Sequence, residues 1–373
     1  MKNNYLNAFK EKLAKEKVFA ASFILAAVSS LAVRPKLSYI NFKVLVLLFN
    51  LMIVVAAFEK LRVMDKIAVE ILTRCKNTRM VSLVFIVVTF FSSMVVTNDV
   101  ALLTFVPLAI LTLKNARIDS MKTVVTQTIA ANIGSSLTPM GNPQNLFLFT
   151  HYKLSGIEFF FVTIPFALMG FLWLLFLNRR TLRRRIKISV QKVYIEDKKR
   201  TYVYIALFLI VTASVFSLID YRYTFAAVLV CVLILDRHLI KEVDYFLLAT
   251  FVGFFVFIGN ISNIEFVQVQ LRLFLKIPHM PYISSIVLSQ VISNVPCSIL
   301  VSNFTSNWRE VLLGVNVGGM GTIIASLASL ISYKIYSNEN FHKSSEYMKK
   351  FCMYNFASLL LFGIIIYMQI LCF

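Results

Sequence analysis

Residues 131–146 read ANIGSSLTPMGNPQNL, within a segment (121–152) that is otherwise apolar enough to lie in a membrane. No continuous helix fits through it. Pro139 and Pro143 each remove a backbone donor, and Gly141 between them permits a sharp bend. In hydrocarbon an unsatisfied N–H or C=O is costly, so such a break survives only when buried in protein or facing a polar cavity. The break frees one half-helix N-terminus, the positive end of its dipole, and one set of unpaired carbonyls. The first attracts an anion and the second a cation. Asn132, Gly134, Thr138, Gly141, Asn142, Pro143 and Asn145 are therefore candidate ion- and substrate-binding positions.

The same stretch recurs. Shifted by 184 positions it falls without a gap on VNVGGMGTIIASLASL (315–330). Asn132 meets Asn316, Gly134 meets Gly318, Thr138 meets Thr322 and Asn145 meets Ser329. This copy breaks through glycine instead of proline. A second match lies upstream: SMVVTN (93–98) falls on SQVISN (289–294), at an offset of 196. Both end apolar runs that turn back on themselves, 80–113 and 281–305, with tips Thr97-Asn98-Asp99 and Ser293-Asn294-Val295. One short apolar match is cheap, but two in the same order that agree at polar positions indicate an internal duplication. Interrupted segments at corresponding places in two halves point to a transporter's binding site. Thr97, Asn98, Asp99, Ser293, Asn294, Asn316, Gly318, Thr322, Ser326 and Ser329 complete the candidate set. Asp99 has no counterpart, and an intramembrane carboxylate is a candidate for carrying a proton or Na⁺.

Composition agrees with a membrane setting. Of 373 residues 58% are hydrophobic, with 34 Phe against only 18 Asp plus Glu. A chain this apolar has too little polar surface for water, so the lipid bilayer is its expected solvent. The net charge of +20 could suggest nucleic acid, but the positive residues sit in short loops between apolar runs, so no nucleic-acid partner is expected. The five cysteines show no metal-ligand spacing, and neither a cofactor nor a bound metal is expected. The basic start, MKNNYLNAFKEKLAKEK, lacks the pattern of a cleaved signal peptide.

Runs long enough to span lie near 18–34, 40–58, 157–178, 202–219, 223–236, 244–262 and 351–373, and residues 62–76 suit an interfacial helix. With a cytoplasmic N-terminus, threading puts 30 of the 38 Lys and Arg on the cytoplasmic side, as positive-inside orientation requires. Each half holds four crossings and one hairpin, and a lone crossing between them reverses the second half. The expected fold is an all-α polytopic membrane protein of two inverted repeats, each with a re-entrant hairpin and a broken transmembrane helix. The first repeat is 1–178; 179–222 is a basic cytoplasmic linker with a connecting helix; the second repeat is 223–373. As helices the arms of the first hairpin (80–96, 100–113) would be about 25 and 21 Å, and those of the second (281–293, 295–305) about 20 and 16 Å.

Other features read as structural. Asp220 and Arg222 flank a short loop; Glu158, Asp244, Glu265 and Arg309 lie at segment edges; His151, His238, His279 and His342 fall at segment ends. No nucleotide-binding loop or catalytic constellation is present in the sequence, and no enzyme activity is expected.

The residues resemble the ion transporter superfamily, and within it the citrate-transporter-like permeases of the divalent anion:Na⁺ symporter type. The segments that carry this are TNDVALLTFVPL, ANIGSSLTPMGNPQNL, VDYFLLATFVGFFVFIGN and SNVPCSILVS followed by GVNVGGMGTIIASLASLI. In that family each tip carries Ser-Asn-Thr; here an Asn and one hydroxyl carry over at each, making Asn98 and Asn294 the candidate Na⁺ positions. The tip acid and the ASLA at 325–328 are closer to the arsenite permease and Na⁺/H⁺ antiporter branches. The resemblance implies a homodimer in the inner membrane that moves a small anion with Na⁺ or H⁺ as coupling ion, a mobile domain sliding against a scaffold. The rivals are a cation/proton antiporter or arsenite efflux permease, a membrane enzyme for lipid-linked substrates, and a passive channel.

Overall fold

The computed structural model describes residues 17–73, 75–186, 193–195 and 197–371. The basic residues 1–16, residues 187–192 of the linker, and Cys372 lie outside the described residues. The described chain is helical, with one isolated β-bridge, Asn77 to Arg185. The first half runs α1 (Lys17–Ala32), α2 (Phe42–Lys60), α3 (Val63–Leu72), the hairpin α4 (Thr78–Val96) and α5 (Asn98–Asn115), the broken pair α6 (Met121–Ser135) and α7 (Pro143–His151), and α8 (Gly156–Arg179). After α9 (Lys198–Val215) the order repeats. It comprises α10 (Tyr221–Leu235), α11 (Tyr245–Ile261), α12 (Glu265–Lys276), the hairpin α13 (Met280–Ile292) and α14 (Asn294–Ser302), the pair α15 (Trp308–Gly318) and α16 (Leu327–Glu339), and α17 (Ser344–Leu371).

The protein is an all-α polytopic membrane protein. Phe42–Lys60, Thr78–Val96, Gly156–Arg179 and Phe341–Leu371 are each long and apolar enough to cross. The expected crossings near 18–34, 202–219, 223–236 and 244–262 form helices of 16, 18, 15 and 17 residues. Along α8 the exposed residues Phe161, Ile164, Leu168 and Leu172 form a stripe at helical spacing, as lipid contact requires.

The first hairpin is longer than the sequence reading allowed. Asn77 accepts from the Met80 amide at 3.0 Å and starts α4 at residue 78. At the other end α5 runs through Lys114, whose charge suits the last turn of a helix. Arms of 19 and 18 residues reach about 28 and 27 Å. The second hairpin keeps short arms of 13 and 9 residues. One helix escaped the sequence reading: α11 turns through 98° into α12, whose exposed Phe266, Val269 and Leu273 alternate with polar residues as on an interfacial helix.

Packing partners match between halves. Helix α4 lies against α6 as α13 lies against α15; α5 packs on α16 as α14 packs on α7; α1 pairs with α11 as α10 pairs with α2. Gly134 and Gly318 permit the first of these contacts. A Cβ on Gly134 would meet the Phe90 carbonyl oxygen at 2.2 Å, and one on Gly318 would meet the Ser289 side chain at 2.9 Å.

Candidate functional site

Each hairpin turns through a single residue in an unusual conformation. Thr97 has φ 75° and ψ 154°, and Ser293 has φ 74° and ψ 154°. Non-glycine residues at positive φ cost about 1–3 kcal/mol and persist only where their surroundings hold them. Here the broken segments do the holding. The Asn98 amide donates to the Gly141 carbonyl at 3.0 Å, and the Asn294 amide to the Ala325 carbonyl at 2.9 Å. The Thr138 hydroxyl donates to the Met94 carbonyl at 2.6 Å, and the Thr322 hydroxyl to the Gln290 carbonyl at 2.9 Å. Every partner in one half is the equivalent of its counterpart under the offsets of 184 and 196 read from the sequence.

Between the tips lies a buried amide network. Asn98 Nδ2 donates to Asn132 Oδ1 at 3.4 Å, and Asn132 Nδ2 donates to the Gly319 carbonyl at 3.2 Å. The Ser326 hydroxyl reaches Asn132 Oδ1 at 3.0 Å. Between the two halves, Asn142 Nδ2 donates to Asn316 Oδ1 at 3.3 Å, and Asn316 Nδ2 to Asn145 Oδ1 at 2.8 Å. The Asn294 amide sits beside Gly319, where an added Cβ would fall 2.9 Å from its Nδ2. Both tips and both breaks thus meet in one place, all from buried side chains.

The predicted residues divide by role. Asn98, Asn132, Asn142, Asn316, Ser326 and Asn294 form or border the network. Thr97 and Ser293 are the turn residues, and Thr138, Thr322 and Gly141 hold the tips. Gly134 and Gly318 give close approach. Pro143 opens α7, whose N-cap Asn142 accepts from the Asn145 amide at 2.9 Å. Asn145 fastens the first break: its Nδ2 reaches the carbonyls of Ser135, Ser136 and Thr138 at 3.4, 3.1 and 3.3 Å. Its mate Ser329 is buried, and among the described residues its hydroxyl has no partner and clamps nothing. The clamp of the second break is Gln290, which sequence reasoning missed. Its Nε2 donates to the carbonyls of Gly318 and Met320 at 2.8 and 3.1 Å, and its Oε1 accepts from the Thr322 amide at 2.9 Å. The signal was an amide in an apolar arm, masked because the matching residue is Met94.

Asp99 stands apart from the network. It lines a cavity of about 570 Å³ that runs from Thr97, Asn142 and Pro143 to Glu59, Lys60, His238, Glu242 and Asp244. Its Oδ1 has no hydrogen-bond partner among the described residues. Asp244, read from sequence as a segment-edge residue, also caps α11 by accepting from the Leu247 amide at 3.0 Å. Lys60 is paired with Asp236 and, through that hydrogen bond, holds the Asp236 carboxyl below the usual range. A second cavity, about 550 Å³, opens at the other ends of α2, α7 and α11, and Phe147, Phe255 and Ile299 line it. Two residues at segment edges make contacts of their own. His279 faces the buried carboxylate of Glu310 at 3.5 Å, and Arg309 lies over the Trp308 ring at 5.4 Å. Asp220 caps α10 through the Arg222 amide at 2.8 Å.

Against known proteins, the citrate transporter family profile matches residues 10–307. An uncharacterized transporter of Methanocaldococcus jannaschii is 35% identical over 81% of this chain and 82% of its own length. The inner membrane protein YbiR of Escherichia coli is 28% identical over 79% of this chain and 80% of its own length. A Dictyostelium discoideum protein named as the transporter arsB is 29% identical over 36% of this chain and 24% of its own length.

Proposed function

Because the chain belongs to the citrate transporter family, we propose that it moves a small anion, a di- or tricarboxylate or an inorganic oxyanion, across the cytoplasmic membrane with Na⁺ or H⁺ by alternating access. The observation that carries this reading is the convergence of two strained tips, Thr97 and Ser293, on two broken helices through buried amides. In this reading the two halves are inverted repeats, and Asn98 and Asn294 orient the ions. Neither break carries Lys or Arg between 131 and 146 or between 315 and 330, so helix dipoles and a co-ion balance the charge of the cargo. The Lys60–Asp244 end is cytoplasmic, which makes the present conformation open inward: its cavity reaches the first tip, while the second cavity stops at Phe147 and Ile299.

The test is a reconstituted uptake assay with citrate, sulfate, phosphate and arsenite, in which Na⁺ and H⁺ gradients are dissipated separately. A thermal-shift panel of the same solutes accompanies it, because a ligand at a hundred times its Kd stabilises the folded state by about 2.7 kcal/mol. No anion accumulating under any gradient would overturn the proposal. A second reading, cation/proton exchange or arsenite efflux, is favoured by one observation: four carboxylates (Glu59, Asp99, Glu242 and Asp244) line the first cavity. It predicts transport of a cation or neutral arsenite that collapses with the H⁺ gradient alone.

A further inference from the structure

The two cavities open at opposite ends of the same helices. Glu59 and Lys60 at one end of α2 line the first, and Phe42 and Lys43 at the other line the second. The 19 residues between these ends span about 28 Å. Their linings have opposite electrical character. Four carboxylates face the first cavity, and among the described residues none lines the second, where Lys43 and His151 are the basic groups.

Lys43 is placed against local preference. It stands in the first turn of α2, next to the N-cap Asn41, where the helix dipole disfavours a cation. Its hydrogen-bond partner is the Ser217 hydroxyl at 3.0 Å, and among the described residues no carboxylate pairs with it. A cation with no ion-pair partner adds positive potential at the mouth of a concave, low-dielectric space. Asn303, Tyr39 and Tyr221 add polar side chains to the same wall. At its inner side Phe147 packs on Phe255, with ring centroids 5.8 Å apart, so an occupant from this side is stopped by apolar side chains before the amide network.

We propose that this second cavity is a docking site for a small carboxylate or inorganic oxyanion, held by the Lys43 ammonium with Tyr39 and Tyr221 as polar partners. The proposal rests on the anion-transport reading above: cargo collected here waits behind Phe147 and Ile299 until the opposite cavity closes. The same chemistry would also accept an anionic lipid headgroup, so the experiment separates the two.

Asn303→Cys, on an exposed residue of the cavity wall, is labelled in detergent micelles with a sulfonate-bearing and a trimethylammonium-bearing methanethiosulfonate. Modification is read at position 303 by mass spectrometry, and rates are normalised to a free thiol. The sulfonate reagent should be favoured by about tenfold, the lower end of focusing by a cleft of one sign. Citrate or sulfate should slow it. Lys43→Gln should remove both the preference and the protection, and Lys43→Arg should keep the preference; an unchanged melting temperature in each variant shows that the fold is intact. No preference, or protection that survives Lys43→Gln, overturns the proposal. Slowing by added anionic lipid but not by citrate or sulfate identifies a headgroup as occupant and overturns the free-anion site. Failure of the transport reading looks different: labelling and protection persist while reconstituted vesicles accumulate no anion.

Discussion

Asn98 and Asn145 are both buried asparagines of the central network, and the structure assigns them opposite consequences on removal. Asn98 makes one long bond to Asn132 (3.4 Å) and accepts from the adjacent Asp99 amide (3.0 Å). Truncation to Ala removes little that holds the fold, a cost of about 1 kcal/mol. It also removes an amide aimed at the place where cargo is proposed to sit. A hydrogen bond to a charged group contributes about 1.5–3 kcal/mol, so uptake should fall by roughly tenfold to a hundredfold. Asn145 instead reaches three carbonyls of the first break and accepts from Asn316 at 2.8 Å. Asn145→Ala strands several buried polar groups together, a loss of about 3 kcal/mol. Melting in detergent and counterflow in vesicles read the two effects separately. Asn98→Ala should melt close to wild type and transport poorly; Asn145→Ala should melt well below it. Full uptake by Asn98→Ala, or wild-type melting of Asn145→Ala, refutes the division between contact and clamp.

Gly134→Ala drives a Cβ to 2.2 Å from the Phe90 carbonyl oxygen, which cannot yield without moving α4, so expression or melting should suffer by about 1–3 kcal/mol. Gly318→Ala meets the Ser289 side chain instead, and a thermal melt should show part of its loss restored by Ser289→Gly. Asp99→Asn keeps the shape of the first cavity and removes its innermost carboxylate; uptake measured across pH should lose its pH dependence if that group carries the proton, and an unchanged profile excludes it. Gln290→Leu frees two carbonyls and an amide at the second break, so melting should drop by about 2–3 kcal/mol while Met94→Leu in the equivalent arm leaves it unchanged.

Much of this was legible because membranes punish unsatisfied backbone, which makes a Pro/Gly break or a polar tip informative on its own. The two repeated segments located the tips and named the asparagines that meet. What the alignment could not give is which side chain serves which half. Asn145 and Ser329 occupy equivalent positions, yet only Asn145 clamps; Gln290 does that work in the second half from a position that reads as Met94 in the first. The two halves agree in backbone geometry more closely than in the side chains that satisfy it. The acids that join Asp99 in the first cavity were not read as part of a site for a different reason. Glu59, Glu242 and Asp244 sit at segment ends, where a charge signals nothing by itself, and only the fold brings them to one wall with Asp99.

The different clamps have a mechanical consequence. In the first half the carbonyls of the break are tied by Asn145, which belongs to the broken segment itself, so that break is internally fastened. In the second half they are tied by Gln290, which belongs to the hairpin arm, three residues before the Ser293 turn. Any displacement of the second tip therefore pulls directly on Gly318, Met320 and Thr322, whereas the first tip connects to its broken segment through the Asn98 backbone amide, the Asn98 side chain on Asn132 and the Thr138 hydroxyl. Gly319, whose carbonyl receives Asn132 from the other half, lies between two of the carbonyls that Gln290 holds. A load on the second tip is thus passed through one side chain to the amide network shared by both halves. The first tip reaches that network by a different route, through the Asn98 side chain on Asn132 at 3.4 Å.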